Sequence, residues 1–147
     1  MITFYLDARA VQHRLNQVLG VDGWSFSFSE ISKDNGVHGK LTVYFKYSNP
    51  DPKHRDDCIL NEVTREDVGY ASRTEKKSEW YKDAVSDALK RCAVHFGVGH
   101  FLYALPYLWI DLKTPGQKYL DDDQNDFIRN WLEDQIKRMT SIKEAKS

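Results

Sequence analysis

Cysteine is scarce in this sequence. Cys58 and Cys92 are the only two among 147 residues, and no Cys-x-x-Cys spacing occurs. Two isolated thiols supply neither a disulfide framework nor a set of zinc ligands. We interpret them as one small buried apolar residue and one loop thiol. The five histidines also lack ligand spacing, so we expect no bound metal and no cofactor.

Long apolar runs and an excess of one charge are lacking too. No apolar run reaches the length of a membrane span, and no signal peptide is visible. We therefore expect a soluble intracellular protein without a membrane partner, cytoplasmic and nucleoid-associated if it is bacterial or from a phage. Lysine and arginine number 21 against 22 acidic residues, for a net charge of −1. Any nucleic-acid site must then be a local basic patch.

Aromatic residues are plentiful, with four Trp, eight Tyr and seven Phe. A chain of this length is one domain of ordinary size that can bury a real core. Asp7 can cap an amphipathic helix that ends at Gly20 and has the apolar stripe Val11, Leu15, Val18 and Leu19. Alternating strands are predicted from Trp24 and from Leu41, and a third strand from Cys58 to about Asp67. We assign four aromatic side chains to the core: Trp24, Phe26, Phe28 and Phe45.

The most informative segment is a helix with a basic side, predicted from near Glu75 to Phe96. At about 100° per residue its apolar residues fall on one arc. Lys82, Lys90 and Arg91 lie outside that arc, so the helix has one face to bury and another that carries cations. The apolar arc consists of Tyr81, Val85, Ala88, Leu89, Cys92 and Phe96.

Two further segments complete the chain. Residues 101–112 are rich in aromatic residues, and we interpret them as core or as a subunit contact. An amphipathic helix is predicted over residues 121–139, with aspartates at its positive N-terminal end. The order α-β-β-β-α-α predicts an α+β domain with an antiparallel sheet. We divide the chain into a main domain, residues 1–112, and a C-terminal linker and amphipathic helix with a frayed tail, residues 113–147.

Several sequence blocks carry a resemblance to a known family. The most specific are residues 65–70, Arg-Glu-Asp-Val-Gly-Tyr, and the helix segment 82–91, which ends in Asp-Ala-Leu-Lys-Arg. Residues 5–11, 22–24 and 39–40 match in the same order along the chain. This arrangement resembles the single-strand annealing proteins of the Rad-fifty-two type, in particular their short bacterial and phage relatives of the DdrA kind.

The resemblance covers about residues 4–98 and implies an architecture. A curved antiparallel sheet of three strands would carry the long helix across it, with flanking helices. Many copies would form a ring that holds DNA in a groove around its outside. The family usually has a helix and a strand upstream that hold a DNA-contacting arginine, and this sequence offers no counterpart.

The resemblance also implies DNA-binding residues. The family's inner groove uses the cations of a Lys-Arg pair that matches Lys90 and Arg91, and Lys82 would extend the track. Such a groove needs cations that face phosphates. The ordinary alternative is a solvated helix face on which Asp87 pairs with one of the two cations. An outer DNA site is expected at Lys40, Lys76 and Lys77, and Arg65 and Arg73 are further candidates.

Two enzyme patterns are incomplete in this chain. Gly39-Lys40 lacks the first glycine and the Ser/Thr of a phosphate loop. Asp67, Glu75 and Lys77 resemble the acidic-plus-lysine group of metal-dependent nucleases, but the later pair lies at a predicted loop or helix start. Arg65 can also be explained as the ion-pair partner of Glu66 or Asp67.

We therefore predict a protein that binds single-stranded DNA without sequence preference and anneals complementary strands in DNA repair and recombination. It would use no nucleotide and no metal, and it would not be an enzyme, because base pairing supplies the free energy. The predicted partners are single-stranded DNA, further copies of the chain, and a recombinase or single-strand-binding protein. The alternatives are a ring-forming assembly module with weak or lost DNA binding and a metal-dependent nuclease.

Overall fold

The computed structural model describes residues 1–31, 36–48, 53, 58–71 and 80–144. The predicted α+β order is confirmed. No helix among these residues combines the length and the apolar character that a membrane crossing requires. In chain order the elements are helix α1 (Ala8–Leu19), strands β1 (Trp24–Ile31), β2 (Gly36–Ser48) and β3 (Cys58–Tyr70), helix α2 (Trp80–Val94), a short 3₁₀ helix (His100–Ala104) and helix α3 (Asp122–Glu144).

Helix α1 begins and ends at the residues that the sequence indicates. The Asp7 carboxylate accepts a hydrogen bond from the Arg9 backbone N–H, which satisfies one of the unpaired donors at a helix start. Gly20 follows the last turn with a φ of 77°, a left-handed conformation that glycine adopts without a steric penalty. Val11 and Leu15 are buried as expected, but Val18 is exposed.

The three strands form an antiparallel sheet in the order β1-β2-β3, as predicted. Strand β1 pairs with β2 from Trp24 opposite Val43 to Ile31 opposite Gly36. Strand β3 pairs along the whole of β2 and runs to Tyr70, three residues beyond the predicted end. Each β2 residue therefore has a known partner, and the alternation of side chains along a strand assigns each one to a face.

One face of the sheet is covered by helices. The buried residues of this face and of the helices form two adjoining clusters, with the small residues of α2 directly against β2. The opposite face of the sheet is polar, with a 2.8 Å hydrogen bond between the hydroxyls of Thr42 and Thr64. The clusters contain Val11, Leu15, Leu41, Leu89, Cys92 and Ala93, and Val37, Ala84 and Ala88.

Two aromatic residues assigned to the core are exposed, so that part of the prediction is wrong. Phe28 is 46% exposed, and its ring lies 6.0 Å from that of Tyr81 in a surface aromatic cluster. Phe45 is 40% exposed, because β1 begins opposite Val43 and leaves Phe45 beyond the end of that strand. Trp24 and Phe26 do pack against the core.

The buried side of α2 is wider than the predicted arc and consists mainly of small residues, because Ala84 and Ala93 extend it on either flank. Its buried side chains are Ala84, Ala88, Leu89, Cys92 and Ala93, whereas Tyr81, the first residue of the predicted arc, is exposed. The helix ends at Val94, before the predicted Phe96. The part of the predicted helix before Trp80 lies outside the described residues.

Gly69 allows α2 to approach the sheet closely. A Cβ atom at this position would lie 2.2 Å from the backbone nitrogen of Ala88 and 2.3 Å from the carbonyl oxygen of Ala84. Glycine is needed at this position because of the close packing and not because of a left-handed backbone conformation. Gly97 is the opposite case, because its φ of 87° requires glycine while the space around its Cβ is open.

The chain divides into two compact units. The sheet unit comprises residues 5–102 and includes the sheet, α1 and α2. The second unit, called here the tail unit, comprises residues 1–4 and 103–147. Within it, Ile2 forms an isolated antiparallel bridge with Leu108, and the rings of Phe4 and Trp131 stack with centroids 5.7 Å apart.

The segment before α3 exposes its aromatic residues. Tyr107 is 81% exposed and Trp109 is 73% exposed, while Leu108 between them is buried. This alternation is that of an extended strand with one inward residue. Residues 101–112 were expected to be core or a subunit contact. Tyr107 and Trp109 are not core residues, because their side chains are exposed.

Candidate nucleic-acid interface

The predicted inner-groove cations lie on α2, away from the sheet. On an ideal helix Lys90 is about 80° around the axis from Lys82, and Arg91 is about 100° further on. Lys82 and Arg91 therefore lie on opposite flanks of the helix, with Lys90 between them. The structure brings Lys90 next to Arg91, but the three cations form a broad band and not a single row.

Arg91 is held at the edge where α2 meets β3. Its Nε donates a hydrogen bond to Asp67 Oδ1 over 3.1 Å, and its side chain is 50% exposed. One helical turn later, His95 Nε2 lies 3.0 Å from Asp67 Oδ2. An ionised carboxylate only accepts hydrogen bonds, so the histidine ring donates here. One carboxylate thus binds two side chains of the helix.

The Asp67 carboxylate is stabilised in its charged form. Partial burial alone would raise its pKa, because burial disfavours a charge. The hydrogen bonds from the Val68 backbone N–H, from His95 and from Arg91, together with the positive charge of Arg91, outweigh that effect and lower the pKa of Asp67. The aspartate is therefore an anion at neutral pH.

Lys90 has a looser partner. Its Nζ lies 3.8 Å from Asp87 Oδ1, three residues earlier on α2. The other oxygen of the Asp87 carboxylate accepts a hydrogen bond from the Tyr70 backbone N–H at 3.2 Å. The alternative considered from the sequence, a pair between Asp87 and a cation of the same helix, therefore holds for Lys90. Such exposed pairs are weak, about 0–1 kcal/mol, so a phosphate can compete for the lysine.

Arg65 does not pair with Glu66 or Asp67 in the way considered from the sequence. Its guanidinium donates to the Thr64 carbonyl oxygen at 3.0 Å and lies over the Phe96 ring, 5.8 Å from the ring centroid. The register places it opposite Leu41, on the face of the sheet that the helices cover. Arg65 is thus near the C-terminal end of α2, as are Arg91 and His95.

Lys40 lies on the other face of the sheet. Its neighbours Gly39 and Leu41 face the helices, so Lys40 points away from them. Its Nζ is 2.8 Å from the carboxylate of Glu66, its cross-strand partner, and His38 is 3.1 Å from the same carboxylate. The hydrogen bond to Glu66 and that residue's negative charge raise the pKa of Lys40.

Three of the predicted residues cannot be placed. Lys76, Lys77 and Arg73 lie outside the described residues, as does Glu75 of the nuclease-like pattern. The described part of the chain contains no group of three or more histidine, cysteine or acidic residues that could hold a metal ion. The remaining member of that pattern, Asp67, is bound to Arg91 and His95.

Two residues of this site were missed by the sequence reading. The sequence patterns assign Asp67 only to a nuclease-like group or to an ion pair with Arg65, and they assign His95 no role. One signal was available, because residues four apart on a helix share a side and Arg91 and His95 have that spacing. Their shared partner on β3 could not be identified without the register between helix and sheet.

The chain is similar to known proteins of one family. A family model described as "Rad52/22 family double-strand break repair protein" matches residues 3–119. The single-stranded DNA-binding protein DdrA of Deinococcus radiodurans is 42% identical over 113 residues, which cover 76% of this chain and 45% of that protein. The protein of the same name from Deinococcus deserti is 39% identical over 108 residues, which cover 72% of this chain and 44% of that protein.

The chain therefore spans less than half the length of either relative. The family match includes the sheet, α1, α2 and every predicted DNA-binding residue. It ends before α3 begins at Asp122. With a match over most of its length, the chain belongs to the Rad52/22 family of double-strand break repair proteins.

Proposed function

We propose that this chain binds single-stranded DNA without sequence preference and anneals complementary strands during DNA repair and recombination. One observation carries the proposal. A Rad52/22 family helix, fixed to the sheet by small residues, displays Lys90 and Arg91 next to each other on its outer side. The two relatives named as single-stranded DNA-binding proteins support the choice of ligand.

The chemistry follows from what cations can recognise. Lysine and arginine side chains bind phosphates and release counterions, which favours binding at low salt. Phosphates are the same at every nucleotide, so binding does not depend on sequence. A strand held by its backbone keeps its base edges available, and a second strand can pair with it. Pairing supplies the free energy, so the mechanism needs no nucleotide and no metal, and the protein acts as a binder and not as an enzyme.

The two faces of the sheet unit support two separate DNA sites. Lys90 and Arg91 lie on α2, whereas Lys40 lies on the sheet face turned away from the helices. Lys40 belongs to the proposed outer site, which handles the second strand or the duplex, and Lys76 and Lys77 are assigned to it by the resemblance alone. Arg65 lies near the inner site, and Arg73 remains a further candidate.

Self-association into a ring is part of the proposal. Large contiguous apolar patches are rare on monomeric surfaces and mark interaction sites. The tail unit exposes Tyr103, Tyr107 and Trp109 in a short stretch. We assign them to a contact between copies, with residues 1–112 as the annealing domain and residues 113–147 as a C-terminal region. A recombinase or single-strand-binding protein is the further partner, and the nucleoid the proposed location.

The ion pairs of the site also favour a second candidate function. Arg91 and Lys90 each have a carboxylate partner within the chain. An assembly module that keeps the fold and the ring but binds DNA weakly would look the same. Measured affinity separates the two candidates, because an annealing protein must bind single strands at moderate salt.

The proposal is tested with complementary oligonucleotides. The unaltered chain should accelerate duplex formation in EDTA without any nucleotide, and its affinity for single-stranded DNA should fall steeply as salt rises. Lys90→Ala with Arg91→Ala should weaken binding and annealing at least ten-fold, while the chain stays folded with an unchanged particle mass and loses only the small stabilisation from the Arg91–Asp67 pair. Lys40→Ala should affect annealing more than binding.

A charge-matched control uses two exposed cations of the tail unit, Lys118→Ala with Arg129→Ala. This pair removes the same charge far along the sequence from the site and should leave both assays nearly unchanged. Equal losses in the two double variants would mean that only total charge matters. Acceleration that requires ATP or a divalent metal would defeat the passive mechanism and restore the nuclease alternative.

A further inference from the structure

The role of Asp67 needs an explanation, because a carboxylate repels phosphates. It lies on β3, on the face that α2 covers. Its side chain is 23% exposed, against 50% for Arg91 and 47% for His95. The aspartate is thus the enclosed member of the group, and the two helix residues lie outside it. An anion beside the proposed phosphate-binding arginine weakens long-range attraction of DNA, so its presence implies a compensating benefit.

The Asp67 carboxylate is fixed from three directions. Oδ1 accepts a 2.7 Å hydrogen bond from the Val68 backbone N–H, which ties it to the strand. The same oxygen accepts from Arg91 Nε at 3.1 Å, and Oδ2 accepts from His95 Nε2 at 3.0 Å. The strand contact does not depend on the helix, so Asp67 is a rigid point to which helix side chains attach.

An arginine that is already held in position loses less conformational entropy when it binds a phosphate. A long, flexible side chain loses rotamer freedom when it binds a ligand, and this ordering costs about 0.5–1.5 kcal/mol per side chain. Arg91 has already lost part of that freedom through its bond to Asp67. His95 occupies the other oxygen and keeps the carboxylate from turning away from Arg91.

Resting on the proposed DNA binding, we propose that Asp67 is a positioning residue for Arg91 in the phosphate-binding site, with His95 as its support. Asp67 does not touch DNA in this arrangement. It acts through Arg91, whose guanidinium is held at the edge between α2 and β3. The Asp67 carboxylate lowers the local positive charge, but by positioning Arg91 it raises the affinity of that arginine for phosphate.

The two effects of Asp67 have opposite signs and can be separated. Removal of its charge alone strengthens DNA binding, whereas loss of the positioning weakens it. Asp83→Asn removes the same charge from α2 while the carboxylate between Arg91 and His95 stays in place, and it measures the first effect. The second effect corresponds to a loss of about 2- to 10-fold in affinity, from the ordering cost of one side chain.

The test is a double-mutant cycle on the full chain, with a fluorescent oligothymidylate as the probe. Asp67→Asn should weaken binding about 2- to 10-fold, the range expected for one ordered side chain. In the Arg91→Ala background, the same substitution should have no effect or a slight gain equal to that of Asp83→Asn. Equal losses in both backgrounds would assign Asp67 a merely structural role. A gain in the unaltered background would make it a simple counter-charge.

Variants of His95 provide a second arm that does not rely on the folding of Asp67→Asn. His95→Ala should cause part of the same loss and should be coupled to Arg91→Ala. His95→Gln keeps an N–H donor and should restore binding. No difference between His95→Ala and His95→Gln would remove His95 from the arrangement. If the unaltered chain fails to bind at all, the proposed function fails with the inference, whereas normal binding without coupling overturns the inference alone.

Discussion

The sheet unit and the tail unit are held together by different kinds of contact. In the sheet unit, buried apolar side chains such as Val11, Leu41 and Cys92 meet between helices and sheet. In the described part of the tail unit only Leu108 and Gln124 are buried. Gln124 is polar, and its side chain bonds to Gln117, to the Asp121 backbone N–H and to the Asp111 carbonyl oxygen.

This difference has a consequence for stability. Apolar burial contributes about 25 cal/mol for each Å² removed from water, and it accumulates over a whole core. A hydrogen bond contributes only about 0.5–1.5 kcal/mol net, but its loss leaves buried groups unpaired. We therefore expect the tail unit to open more easily than the sheet unit. The proposed DNA-binding residues belong to the unit with the apolar core, where rigidity helps them to keep their geometry.

The largest loss of stability is expected from a side chain that obstructs the close contact between α2 and β3. Gly69→Ala places a methyl group against the Ala84 and Ala88 backbone, which cannot move aside as a side chain can. We expect a loss of about 3 kcal/mol or more in the free energy of unfolding, at or beyond the usual range for overpacking. Urea unfolding followed by circular dichroism measures it.

Gly39→Ala is the matched control for that change. Its Cβ would meet the Ala88 methyl group at 2.9 Å and the Phe26 ring at 3.0 Å, which are less close than the backbone contacts at Gly69, and the ring can turn aside although the methyl group cannot. The loss should be smaller than for Gly69→Ala. Equal losses would show that the close backbone approach at Gly69 is not what limits the packing of α2.

A moderate effect is expected in the tail unit from Gln124→Ala. The substitution leaves the Asp121 N–H and the Asp111 carbonyl oxygen without their partner, at a cost of about 1–3 kcal/mol for such buried groups. Hydrogen exchange should rise across residues 111–124 and stay unchanged in the sheet unit. Gln124→Glu keeps the acceptor for the Asp121 N–H but not the donor for the Asp111 carbonyl oxygen. Its hydrogen exchange should lie between that of the wild type and that of Gln124→Ala.

A smaller, pH-dependent effect is expected from Asp67 within the sheet unit. Its pKa is lowered in the folded chain, so its contribution to stability is complete above its unfolded pKa of about 3.9. The contribution is lost as pH falls through the folded value. The difference in unfolding free energy between the wild type and Asp67→Asn should be constant from neutral pH to about pH 5 and should shrink below pH 4. A difference that persists at low pH would mean that the ionised carboxylate does not stabilise the fold.

The smallest change in stability is expected from the exposed aromatic residues. Tyr107→Ser with Trp109→Ser removes little buried surface from the chain, so the free energy of unfolding should change by no more than about 0.5 kcal/mol. Particle mass by light scattering should nevertheless fall, because these side chains are proposed to form the contact between copies. An unchanged mass would remove them from that contact. Tyr119→Ser, at a residue that is 86% exposed, is the control for loss of an exposed aromatic ring.

Local patterns were sufficient for much of the sheet unit. Asp7 and Gly20 bound α1 as expected, and the alternation in β1 and β2 gave the antiparallel sheet. These features depend on neighbours in sequence, which a pattern records. Helical periodicity likewise separated the cations of α2 from its apolar residues, but it did not show that Arg91 lies at the edge next to β3.

Contacts between distant elements could not be predicted in the same way. The exposure of Phe45 depends on where β1 begins relative to β2, and that of Phe28 depends on how much of the sheet face the helices cover. The pairing of Asp67 with Arg91 and His95 depends on the height of α2 over β3, which Gly69 determines. The pairing of Ile2 with Leu108 leaves no local signal, since it joins residues more than a hundred positions apart.

The tail unit is discontinuous, and this affects the order in which the protein can form. Its first piece, residues 1–4, is synthesised before the sheet unit, but Leu108 and Trp131 are synthesised only after it. Chains fold from the N-terminus as they emerge, and distant contacts form late because a long loop must close first. The sheet unit can therefore fold before residues 1–4 form their contacts with Leu108 and Trp131. The aromatic surface that we propose for assembly is completed after the sheet unit, so in the proposed ring copies would join only once each sheet unit has formed.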